Sequence, residues 1–230
     1  MKERITVISN GTERECFISC SIDDWDYKDD FLKALCNVDR GYYMYLIKDD
    51  NGKADRKYPE RVFAYEFYHQ YRKVMEDKQD IYSGLYINGE QTKDRKVADY
   101  IGDFTPDIVL HSRLDGMCEG SQKWLCEIKM IESGNPLSDI EKFRKMDKLS
   151  FDEYIFLYAG SCLLNLLLKI HNKIKKGKIS REYDGNCICI CSYYGKTSKL
   201  HIECHRLYTL IDMIKELDIN TLRKQIARIK

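Results

Sequence analysis

Three charged side chains stand where apolar strands would exclude them: Asp107 at the start of PDIVLH, and Glu127 and Lys129 within KWLCEIKM. Successive side chains of an extended chain point to opposite faces. Ile108 and Leu110 therefore share one face and Asp107 and Val109 the other, while Trp124, Cys126 and Ile128 oppose Leu125, Glu127 and Lys129. A carboxylate or an ammonium in a partly buried sheet is costly unless it is paired or bound to a metal. Two readings meet that cost. In one, Glu127 and Lys129 form a salt bridge and Asp107 is exposed at a strand end. In the other, Asp107 and Glu127 hold a divalent cation and Lys129 polarises or orients the attacking water.

The elements that must position these residues follow from the flanking sequence. The connection 112–122 contains Gly116 and Gly120 and reads as a polar loop between two strands. Ahead of it, Pro59 and Glu60 open a helix running to about Asp77, with Glu60 suited to the positive end of the helix dipole. Val62, Tyr65, Tyr68 or His69, Arg72 and Met75 trace its apolar stripe, widened by Phe63 and Phe67, and Glu66 is either solvated or turned toward the sheet, with Gln70 one turn beyond. A strand is expected over Ile81–Asn88, with a tight turn permitted at Asn88–Gly89. His111 falls on the Asp107 face but about 13 Å along the strand, too far to share a ligand with it.

Behind the two strands, Gly134, Asn135 and Pro136 break the chain, and Ser138 or Asp139 can cap a helix with Ile140, Phe143 and Met146 or Leu149 at helical spacing. A strand over Tyr154–Tyr158 follows, then a helix whose end carries Lys169, Lys173, Lys175, Lys176 and Lys178. These cations suit a helix C-terminus or a phosphate backbone. The run Asn186–Tyr194 alternates cysteine and isoleucine; its outer cysteines are about 13 Å apart, so core packing rather than metal binding is expected. A last strand at Leu200–Cys204 and a C-terminal helix complete the order. His201, Cys204 and His205 lack the helical context of a zinc site, and the basic loop at Lys93, Arg95 and Lys96 and the tail at Arg223, Lys224, Arg228 and Lys230 are solvated or touch phosphates.

Pro106–Asp107, nineteen intervening residues and then Glu127-Ile128-Lys129 resemble the signature of the PD-(D/E)xK nuclease superfamily. The resemblance covers roughly Tyr58 to Leu207. It implies an α/β fold with a restriction-endonuclease-like core, a central mixed β-sheet flanked by helices whose second and third strands carry the motif. It further implies Mg2+ or Mn2+ held by Asp107, Glu127 and the Ile128 backbone carbonyl, with Lys129 catalytic and nucleic acid, DNA first, as substrate. A carboxylate on the first helix often joins such a centre; Glu66 takes that part here, with Glu60 in reserve.

At 230 residues the chain suffices for one sizeable core, read as an extension or cap over residues 1–55 and a nuclease-like domain with a C-terminal helix over 56–230. Its 38 basic and 37 acidic side chains give a net charge of +1, so no global field announces a nucleic-acid partner. Ten scattered cysteines without an apolar leader point to a reduced, cytoplasmic protein. The longest apolar run, Cys162–Ile170, is too short to span a bilayer. Sequence specificity would come from the first 55 residues, from loops, or from a homodimer or partner subunit. Two alternatives stand beside the nuclease: an inactive module of the same fold that binds nucleic acid or a protein, and a soluble α/β scaffold with a chance motif.

Overall fold

Residues Gln122–Met130 form strand β7, and its alternation assigns the two faces of the molecule. Trp124, Cys126, Ile128 and Met130 pack into one apolar cluster and Leu125 into another. The structure is a computed structural model that describes residues 2–9, 12–48, 50–89, 105–112, 122–131, 143, 151–176, 187–195, 198–216, 218, 221 and 224.

Among these residues a mixed sheet of eight strands runs in the order β1 (Lys2–Ser9), β2 (Thr12–Cys20), β10 (Leu200–Arg206), β9 (Cys187–Tyr194), β8 (Glu153–Ala159), β7, β6 (Ile108–Ser112) and β5 (Leu85–Gly89). The meander β5–β6–β7 is antiparallel, whereas β7, β8 and β9 are parallel neighbours. Parallel neighbours need long crossovers, usually helical. Helix α4 (Leu163–Lys175) supplies the one from β8 to β9. β10 turns back antiparallel to β9 and lies parallel to β2.

Helices α1 (Lys28–Asn37), α2 (Arg40–Tyr43) and α3 (Glu60–Asp77) cover the face of Trp124. On the other face lie α4, α5 (Leu207–Glu216) and Phe143, which is helical and buried, as expected of its segment. The fold is thus α/β, with a mixed central sheet flanked by helices. Among the described residues no helix is long and apolar enough to cross a membrane. The nine cysteines in this set carry free thiols, and Cys187, Cys189 and Cys191 are fully buried in the second cluster.

The buried stripe of α3 differs from the expected one. It comprises Phe63, Phe67, Gln70, Tyr71 and Val74, while Val62 and Tyr65 are exposed. The rotation brings Phe67 and Tyr71 onto Phe31 of α1, and Phe31 and Tyr71 onto Trp124, with ring centroids 4.7–6.3 Å apart. Burying aromatic rings against one another outweighs burial of Val62, because each ring removes a larger area from water and each ring pair adds about 0.5–1.5 kcal/mol beyond that area. Asn88 and Gly89 also depart from expectation: they pair with Val109 and Ile108 as part of β5 instead of making a turn.

The N-terminal segment packs onto the core by adding β2 to the sheet and α1 to α3. Arg206, at the end of β10, donates to both carboxylate oxygens of Glu153, at 2.5 and 2.8 Å, and to Asp24 at 2.9 Å. That buried pair joins the N-terminal segment to the end of the sheet where β8 begins. Residues Tyr45–Lys48 (β3) and Ala54–Lys57 (β4) form a separate two-stranded ribbon.

Candidate active site

The charged residues singled out in the sequence meet where β7 ends. Strand β6 begins at Ile108, opposite Cys126, so antiparallel register sets Pro106 opposite Ile128. Proline has no N–H to give to the ladder. The Asp107 carboxylate serves instead: its Oδ2 accepts from the Ile128 N–H at 2.7 Å. A strand residue directs its N–H and C=O to the same side, so the Ile128 carbonyl also points toward Asp107, where Pro106 brings it no donor. Strand β5 lies against this corner, where a Cβ on Gly89 would stand at ordinary contact distance, 3.5 Å, from the Asp107 carbonyl oxygen.

Glu127 and Lys129 project from the opposite face to Ile128, as the alternation requires. Glu127 is buried, 3% exposed, and its Oε2 lies 3.9 Å from Lys129 Nζ. The ion pair between these two residues, one of the two readings of the motif, is therefore present. It is not the whole arrangement, because Lys129 also donates to Glu60 Oε1 at 3.1 Å. Glu60 Oε2 accepts from the Met130 N–H at 3.3 Å. Asp107 and Glu60 thus cap the N–H groups of Ile128 and Met130, successive donors on one side of β7 and about 7 Å apart along it.

Glu66 stands elsewhere. It accepts from Gln70 Nε2 at 2.6 Å and lies 3.5 Å from His69 Nδ1, both on its own helix. Six residues advance a helix by about 9 Å and turn it well away from the starting direction, so of these two carboxylates it is the one in the first turn of α3 that meets the end of β7. The α3 carboxylate that meets the motif is Glu60. Its sequence signal was its place directly after Pro59, where a helix begins and its first turn is free to abut the end of a strand.

Two carboxylates, Glu127 and Glu60, flank the Lys129 ammonium, and a third, Asp107, meets the same strand through the Ile128 N–H. Their oxygens and the Ile128 carbonyl are hard donors of the kind Mg2+ and Mn2+ take. Among the described residues no three or more His, Cys, Asp or Glu side chains are grouped so as to hold a metal ion; a cation here would draw on two carboxylates, the backbone carbonyl and water. The charge of this corner reaches the core, where burial pushes the Cys126 thiol far up and the Asp107 and Glu127 charges push it the same way.

Other candidates take structural places. His111 lies 2.6 Å from Asn88 Nδ2 and 2.8 Å from the Ser112 carbonyl oxygen. His201 and His205 share one face of β10 while Cys204 is buried in the cluster on the other, so the three do not converge. Lys169 sits 5.0 Å above the Tyr158 ring. Lys93, Arg95, Lys96, Asp139, Lys178, Arg223, Arg228 and Lys230 lie outside the described residues. Comparison with protein-family models, with curated proteins and with solved structures finds no match for this chain.

Proposed function

We propose that this chain is a metal-dependent nuclease that hydrolyses phosphodiester bonds, with DNA as the substrate class and a restriction-endonuclease-like core as its scaffold. The element order supports the scaffold: helix α3, the antiparallel meander β5–β6–β7, then β8 parallel to β7. The observation that carries the activity is the placement of Asp107 on the backbone of Ile128, with Glu127 and Lys129 on either side of that residue and Glu60 holding the ammonium.

The chemistry follows from what a phosphodiester resists. Its anionic oxygens repel hydroxide. Asp107, Glu127 and the Ile128 carbonyl would hold Mg2+ or Mn2+, which would supply positive charge toward the phosphate and make a nearby water more acidic. Lys129 contributes a second positive charge, aimed where negative charge develops, and orients the nucleophile through its N–H donors. Glu60 is a positioning residue that directs Lys129 across the end of β7. Burial of Glu127 lowers the local dielectric and strengthens its hold on a cation.

The test is cleavage of labelled single-stranded, duplex and branched DNA, and of RNA, with and without Mn2+. Wild type should cut DNA only with the metal, and Lys129→Ala should reduce the rate by about 100-fold or more. Mn2+ binding followed by calorimetry should weaken in Asp107→Asn. Metal binding and nucleic-acid binding without cleavage by wild type would mean an inactive module; absence of both would leave a scaffold with a chance motif.

A further inference from the structure

The ribbon β3–β4 is exposed along both strands, including Tyr45 at 44%, Leu46 at 62% and Ile47 at 43%. An isolated two-stranded ribbon is marginally stable in water, and it ordinarily packs one face on a sheet or helix. This one leaves large apolar side chains in solvent on both faces, Leu46 on one and Tyr45 and Ile47 on the other.

The register sorts its side chains into two unlike faces. Tyr45 pairs with Lys57 and Ile47 with Asp55, and Asp55 is neutralised by Lys57 at 2.8 Å. Leu46 pairs with Arg56 and Lys48 with Ala54, giving a face with two cations, an exposed leucine and no acid. Asp50 lies in the turn, beyond the paired residues, and Gly52 takes the positive φ of 76° that the turn requires. A second copy is a poor occupant for this face, since twofold contact would set its cations against one another.

The base of the ribbon is fixed beside the candidate active site. Before β3, Tyr43 is buried against Phe63 and Tyr194. After β4 the chain reaches Glu60 in three residues, and the Tyr58 ring lies against Gly160, where an added Cβ would come within 3.3 Å of it. Gly160 follows Ala159, the register partner of Met130. A two-stranded ribbon fits the DNA major groove, which is about 12 Å wide and 8.5 Å deep; four paired residues reach about 13 Å.

We infer that the β3–β4 ribbon is a recognition arm that enters the major groove of duplex DNA, with Lys48 and Arg56 on the phosphates or base edges and Leu46 against the groove floor. This rests on the nuclease reading and narrows its substrate from nucleic acid in general to the duplex form.

The experiment measures binding of labelled duplex and single strands to the full chain, with Ca2+ in place of Mn2+, across a salt series. A Lys48→Ala/Arg56→Ala double variant should bind duplex about tenfold more weakly and lower the salt slope by about two. Its single-strand affinity, thermal melt and Mn2+ binding should match wild type. Unchanged duplex affinity in the double variant, with wild type still cleaving, would overturn the arm and leave the nuclease standing. If wild type neither binds nor cuts any nucleic acid, both readings fall. A dimer in sedimentation that Leu46→Ser dissociates, with duplex binding intact, would also overturn the arm by making the ribbon a contact between copies.

Discussion

Glu60, in the first turn of α3, accepts from Lys129 Nζ at 3.1 Å and from the Met130 N–H at 3.3 Å, tying its helix to the end of β7. The motif lysine is thereby held between two carboxylates, with Glu127 at 3.9 Å on its other side.

Because Glu60 rather than Glu66 makes this contact, the two should behave differently on substitution. Glu60→Gln keeps an acceptor for the backbone N–H but removes the charge that directs Lys129, and Mn2+-dependent cleavage should fall about tenfold or more. Glu66→Gln should stay within about twofold of wild type. Initial rates on one DNA substrate decide it, and equal effects at both positions would refute the assignment.

Asp107 has a structural and a proposed metal-binding part, and two substitutions separate them. Asp107→Asn retains an oxygen for the Ile128 N–H and should melt near wild type while binding Mn2+ more weakly. Asp107→Ala also leaves that N–H without its acceptor and should cost about 1–3 kcal/mol in denaturant unfolding. Equal stability of the two variants would show that the hydrogen bond contributes nothing.

Arg206 and Glu153, both under 10% exposed, form the buried pair at the other end of the sheet. Burial pushes the Glu153 carboxyl up against the pull of Arg206, while the bond to Glu153 holds the guanidinium proton more tightly. Arg206→Ala should destabilise by about 3–5 kcal/mol, because it strands a buried carboxylate. Arg206→Met with Glu153→Leu should recover most of that loss, as measured by urea unfolding.

His201 is stacked between Phe17 and Tyr193, with ring centroids 5.3 and 5.1 Å apart, and burial lowers its pKa below the ordinary value. Glu203 pulls His201 upward and Lys199 pushes it down; His205 is likewise lowered by burial and raised by Glu203. Below about pH 6.5 the unfolded chain then binds more protons than the folded one, so stability is lost as pH falls through that range. Thermal melts between about pH 7.5 and 5 should show this decline, and His201→Gln/His205→Gln should flatten it. An unaltered slope in the double variant would assign the decline to other groups.

The alternation in PDIVLH and KWLCEIKM was enough to place Ile108, Trp124, Cys126 and Ile128 on one face, Glu127 and Lys129 on the other, and Asp107 at a strand start. Strand periodicity of two is a local property, and the structure keeps each of those assignments. The cysteine ladder was legible for the same reason. The helical phase of α3 was not, because aromatic and apolar residues surround most of that helix. Contact with Phe31 and Trp124 decided which side was buried, and so which carboxylate reached Lys129. Nor does any local pattern in 12–20 name 200–206 as its parallel partner; strand pairing over such a separation is chosen by the assembled core. Local spacing determined which residues share a face, and tertiary packing decided which faces and ends meet.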